Sequence, residues 1–88
     1  MEPFAAGALR ATFAENVKRR RQRLGWSQEK LAFEADLHRV YMNRLEALGR
    51  NVTLDMVERL AHALGVDPVE LLLQPRQPAP PSPDQAKS

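Results

Sequence analysis

Apolar residues recur along this chain in blocks of helical period, and glycines or cap-forming residues separate the blocks. In the first block Leu9, Phe13, Val17 and Leu24 fall on one stripe of a helix over residues 9–24, with Arg20 on the same stripe. The aliphatic stem of Arg20 can lie along the edge of that stripe while its head reaches water. Gly25 ends the block as a left-handed cap. Ser27 then caps a second helix that begins at Gln28 and Glu29 and buries Leu31, Ala32 and Ala35. Trp26 just before the cap and Leu31 four residues after it are spaced as a hydrophobic staple.

Ala35, Asp36 and Leu37 form the next turn, where Asp36 tolerates a left-handed backbone less comfortably than glycine would. The third helix starts near His38 as its N-cap, and Leu37 and Met42 repeat the staple spacing. Met42 and Leu45 face inward, Tyr41 packs partly against neighbours, and Arg39, Val40, Asn43 and Arg44 face outward. Residues 47–52 read as a loop. Thr53 caps a fourth helix that runs to about Leu64 with Leu54, Val57, Leu60, Ala61 and Leu64 inward, and Gly65 ends it. Asp67, Pro68 and Glu70 then open a fifth helix with a cap, a proline at the first helical position and an acid three residues past the cap. Leu71, Leu72 and Leu73 finish it, and three consecutive leucines cannot all face one small core. At least one is free to meet another molecule.

The flanks differ. Residues 1–8 carry no period and include Pro3 and Gly7, which reads as a flexible arm. Residues 74–88 hold five prolines and no apolar side chain larger than proline or alanine, which reads as a disordered tail with no core to join. The expectation is therefore an all-α chain with one five-helix domain over residues 9–73.

Composition narrows the function classes. At 88 residues, 43% hydrophobic and 27% charged, the chain fits one small domain near the lower size limit for independent folding. A second copy is a physical route to stability for such a domain. No cysteine is present, which removes disulfides and thiolate metal ligands, and His38 and His62 are too far apart to suggest zinc by spacing. No metal or other cofactor, no small-molecule ligand and no membrane partner is expected. No apolar run approaches the roughly 18 residues of a membrane span, and the first ten residues lack the pattern of a signal peptide, so a cytoplasmic protein is expected. The net charge of +2 is modest, but residues 18–23 carry five of the thirteen basic side chains, a cluster that suits a polyanion or equally a solvated helix face.

The decisive stretch is residues 27–46, two short helices joined by a turn of about three residues. That arrangement pushes one helix into the major groove of DNA. Its residues also carry a resemblance. Gly25, Trp26, Ser27, Gln28, Glu29, Lys30, Leu31 and Ala32, followed by Leu37, Tyr41, Leu45 and Glu46, resemble the phage-repressor and Cro-type (XRE-like) helix-turn-helix domain. Residues 51–68 are similar to that family's fourth helix and the opening of its fifth. Within the family, His38, Arg39 and Tyr41 followed by Gly49, Arg50, Asn51, Val52, Thr53 and Leu54 are similar to restriction–modification controller proteins.

The resemblance spans roughly residues 9–73 and implies five helices and sequence-specific binding of double-stranded DNA as a homodimer. It implies that Gln28 grips a phosphate, that Arg39, Val40 and Arg44 read bases with Asn43 alongside, and that Arg50 and Asn51 touch the backbone. It also implies an ion pair between Arg21 and Glu46 that joins the first helix to the third. Three departures from the pattern stand out: Asp36 replaces the usual turn glycine, His38 stands where serine, threonine or aspartate commonly caps the helix, and Ala47 and Leu48 replace a more polar stretch. The dimer contact is expected on the fifth helix and the end of the fourth, through Val66, Val69, Leu72 and Leu73. The competing expectation is a protein-interaction module, such as an antitoxin or a partner-regulated helix-turn-helix protein. An enzyme is disfavoured, since there is no cysteine nucleophile, phosphate-binding glycine loop or clustered His/Glu set.

Overall fold

The computed structural model describes residues 7–48 and 52–74, and in them five helices: α1 (Ala8–Arg23), α2 (Gln28–Glu34), α3 (Arg39–Leu48), α4 (Leu54–Leu64) and α5 (Pro68–Leu72). No strand occurs among the described residues. Residues 1–6 of the expected arm, residues 49–51 of the expected loop, with Arg50 and Asn51, and residues 75–88 of the expected tail lie outside them, while Ala47 and Leu48, also read as loop, belong to α3.

Local chemistry sets the helix starts. The Ser27 hydroxyl accepts from the Lys30 N–H at 3.0 Å, Thr53 from Met56 at 3.2 Å, and the Asp67 carboxylate from Val69 at 2.8 Å. His38 substitutes an imidazole for the usual oxygen, its Nδ1 accepting from the Val40 N–H at 3.1 Å. Such caps are each worth about 1 kcal/mol. Three helices end alike: the N–H groups of Trp26, Leu37 and Val66 reach back to the carbonyls of Arg21, Ala32 and Ala61 at 3.1, 2.8 and 3.0 Å. That closure needs a left-handed residue inside it. Gly25 and Gly65 supply it at φ 73° and 72°, and Asp36 takes it with a side chain at φ 57°.

The core gathers residues from every helix. Phe13 and Val17 of α1 meet Leu31 and Ala32 of α2, Met42 and Leu45 of α3, Val57, Leu60, Ala61 and Leu64 of α4, and Leu71 of α5. α1 packs on α3, α4 and α5, while α2 lies on α3 and α4. α1 and α4 thereby cradle the helix pair from behind.

Three apolar positions depart from the expected inward faces. Leu9 and Leu24 are about half exposed and Leu54 is 78% exposed. The sixteen residues of α1 make a rod about 24 Å long, longer than the core around Phe13 and Val17, and Leu24 lies just past its last turn. Leu54 is the first residue of α4, at the margin of its apolar stripe. Of the three leucines that close α5, Leu71 is buried, Leu72 lies at the core edge and Leu73 is exposed.

Long-range polar contacts lock α5 in place. Asn16, buried on α1, donates through Nδ2 to the carbonyls of Leu71 and Leu73, both at 2.8 Å. These are carbonyls that the end of a helix leaves without intrahelical partners. Glu70, positioned three residues past the cap, turns away from it to meet Arg20 at 3.2 Å. The head of Arg20 therefore ends on a carboxylate as well as in water. The Gln74 amide donates to the Thr12 hydroxyl at 3.0 Å, which ties the first residue of the stretch read as a tail back to α1. Ala8 already belongs to α1, so the helix begins within the stretch read as an arm.

Candidate nucleic-acid interface

The candidate interface begins beneath α3. Arg21 of α1 donates through Nε and Nη2 to the two carboxylate oxygens of Glu46 at 2.6 and 2.9 Å, and through Nη1 to the Trp26 carbonyl at 2.6 Å. The two side chains are only 12% and 3% exposed. A buried pair of this kind contributes little net stability, because desolvation offsets the attraction, but its paired geometry fixes how the two helices sit.

From Glu46 the polar contacts continue outward. Its Oε1 also accepts from Gln28 Nε2 at 3.1 Å, and Gln28 Oε1 accepts from Asn43 Nδ2 at 3.1 Å. The chain Arg21–Glu46–Gln28–Asn43 thus runs from the buried side of α3 to its exposed side by way of α2. Both ends of the Gln28 amide are engaged within the protein, which leaves it one further N–H.

On the exposed side, Arg39, Val40, Asn43 and Arg44 share one surface of α3. They line a shallow recess of about 510 Å³ together with Gln28 and Glu29 at the start of α2. Arg39 Nη1 meets Glu29 Oε1 at 3.0 Å, in a pair exposed on both partners. Val40 is 47% exposed. The Arg44 side chain makes no hydrogen bond or ion pair with any described residue. Behind them Tyr41 packs at the core edge, where burial raises the pKa of its hydroxyl.

Two cations, an apolar side chain and an amide on one face of a braced helix can read base edges in a groove. A helix-turn-helix family model matches residues 17–71. The chain belongs to the helix-turn-helix family. Over 65 residues it is 48% identical to the control protein C.BamHI of Bacillus amyloliquefaciens, covering 73% of this chain and 80% of that protein. The hypothetical transcription factor NHTF from Neisseria superposes with a TM-score of 0.75 at 40% identity, over 85% of this chain and 86% of that one. The restriction-modification controller protein C.AhdI from Aeromonas hydrophila superposes with a TM-score of 0.67 at 39% identity, over 70% of this chain and 94% of that one. The resemblance to controller proteins therefore holds across the domain, and this helix-turn-helix protein is a DNA-binding transcriptional regulator. Its family is one of DNA-binding regulators rather than of enzymes.

The residues expected at a dimer contact lie on and around α5, which packs on α1 and α4, and not on the helix pair. Val69 and Leu73 are 58% and 56% exposed, whereas Val66 and Leu72 are half-buried against the regulator's own core. Arg50 and Asn51 are outside the described residues. Two residues that shape the site were not singled out in the sequence. Asn16 had a legible signal, being a polar residue on the stripe shared by Phe13, Val17 and Arg20. Glu29 had none, because its pairing with Arg39 depends on how α2 crosses α3. No helix among the described residues is long and apolar enough to cross a membrane.

Proposed function

We propose that this regulator acts in the cytoplasm and binds a palindromic operator as a homodimer, with α3 in the major groove of each half-site. The observation that carries the reading is the convergence of Arg39, Val40, Asn43 and Arg44 on one exposed face of a helix braced behind by Arg21 and Glu46. Arg39 and Arg44 each offer a bidentate pair to guanine O6 and N7, Val40 suits a thymine methyl, and Asn43 suits adenine. Gln28, through its remaining N–H, and Arg50 and Asn51 contact backbone phosphates. One short helix reads only a few base pairs, so a monomer is a poor discriminator. Pairing through Val66, Val69, Leu72 and Leu73 doubles the site and sets the half-sites about 34 Å apart on one face of the duplex.

Selection of bound duplexes from a random pool, followed by affinity measurement at two salt concentrations, tests the proposal. The expected result is a two-fold symmetric consensus with a steep salt dependence; absence of enrichment overturns it. Arg39→Ala and Arg44→Ala should each relax preference at one base pair of the consensus by about 1–3 kcal/mol. An equal loss on every duplex would make them phosphate contacts instead.

A further inference from the structure

A carboxylate on a face that meets DNA is a liability unless it does something there, since every phosphate repels it. Glu29 sits in the recess between α2 and α3 among the groove-facing side chains, and its Oε1 holds Arg39 Nη1 at 3.0 Å. Both side chains are about two-thirds exposed, so the contact adds little to folding. Its geometry matters more than its strength. Arg39 presents two forked edges for bidentate recognition, and Glu29 occupies the Nη1 corner. The edge formed by Nε and Nη2 is left open, and that edge alone suffices for guanine O6 and N7.

The reading face is thus held from α2 at two points. Gln28 Oε1 holds Asn43, and Glu29 holds Arg39, whereas Arg44 has no such partner among the described residues. Arg39 carries several rotatable bonds, and ordering a side chain of that kind at an interface costs free energy at the moment of binding. A partner that already restrains it removes part of that cost. The same carboxylate disfavours a phosphate at that spot, which penalises contacts that carry no sequence information.

Resting on the groove-reading proposal above, we infer that Glu29 is a specificity-determining positioning residue: it pre-orients Arg39 for one guanine and penalises non-cognate contacts. The test uses the full chain and duplexes carrying the consensus enriched from a random pool. Each duplex is compared with one substituted at the base pair where Arg39→Ala loses its preference. Glu29→Ala should reduce the affinity ratio between the two duplexes by about two- to fivefold, the range an exposed ion pair can supply. Glu29→Gln keeps an acceptor of the same shape and should restore part of that ratio. In the Arg39→Ala background, Glu29→Ala should produce no further change in it.

Three results overturn the inference. In the first, Glu29→Ala raises affinity on both duplexes equally, which makes the carboxylate a general repeller. In the second, the ratio falls as much in the Arg39→Ala background as in the parent, which uncouples the two residues. In the third, the ratio does not move. A pool that yields no consensus is a separate result: it overturns the groove-reading proposal itself, and this inference with it.

Discussion

At the scale of single residues, Glu46 of α3 is shared between α1 and α2. It accepts from both forked nitrogens of Arg21 and from Gln28. Glu46→Ala should therefore do more than remove a contact. It leaves the Arg21 guanidinium in a largely dry position with only the Trp26 carbonyl, and it frees Gln28, on which Asn43 leans. Breaking a buried pair by deleting one partner costs about 3–5 kcal/mol, and urea unfolding of the variant should show a loss of that size. A loss below about 1 kcal/mol, the worth of an exposed pair, would mean that water replaces Glu46 cheaply. Arg39 and Glu29 form the opposite case: an exposed pair whose removal should barely move the unfolding curve while changing which duplex is preferred.

At the scale of elements, the turn between α2 and α3 is the joint on which the reading helix hangs. It uses the same backbone closure as the ends of α1 and α4, but with Asp36 where those ends have glycine. A side chain in the left-handed region is strained by about 1–2 kcal/mol, less for aspartate, which can hydrogen-bond locally. Asp36→Gly should thus stabilise the folded regulator by up to about 1 kcal/mol after the added chain entropy of glycine is counted. The thermal midpoint should rise and duplex preference should stay the same. A fall in the midpoint would show that the Asp36 side chain contributes more than its strain costs. The Arg59 guanidinium donates to the Asp36 carbonyl at 3.2 Å, a backbone contact that glycine preserves.

For the whole molecule, the two ends of the function sit on different elements. α3 carries the reading face, while α5 and the residue that caps its end carry the exposed Val69 and Leu73 proposed to meet a second copy. Asn16 connects α5 to α1, which in turn holds α3 through Arg21. The spacing of two reading helices in a dimer would therefore be transmitted through α1. Replacing Val69 and Leu73 together by aspartate should convert a dimer to a monomer in sedimentation. Because a dimer is stabilised by mass action, the thermal midpoint of the parent should rise with protein concentration and that of the double variant should not. A parent that sediments as a monomer with a concentration-independent midpoint would remove the α5 contact from consideration.

The five helices were legible in the sequence because their boundaries depend on neighbours a few residues away. Ser27, Thr53 and Asp67 bond to amides two or three residues on, and Gly25 and Gly65 close turns over six residues. Periodicity made the exposed face of α3 legible too, since Met42 and Leu45 inward leave Arg39, Val40, Asn43 and Arg44 outward. What the tertiary structure alone decided concerns partners and edges. Asn16 meets carbonyls 55 and 57 residues away, Arg20 meets Glu70, and Glu29 meets Arg39 only because α2 crosses α3 at that point. Leu9, Leu24 and Leu54 keep the right period yet lie beyond the reach of a small core. Period determines which side of a helix turns inward. The width of what it packs against determines how much of that side is buried, and the crossing of elements determines which charges meet.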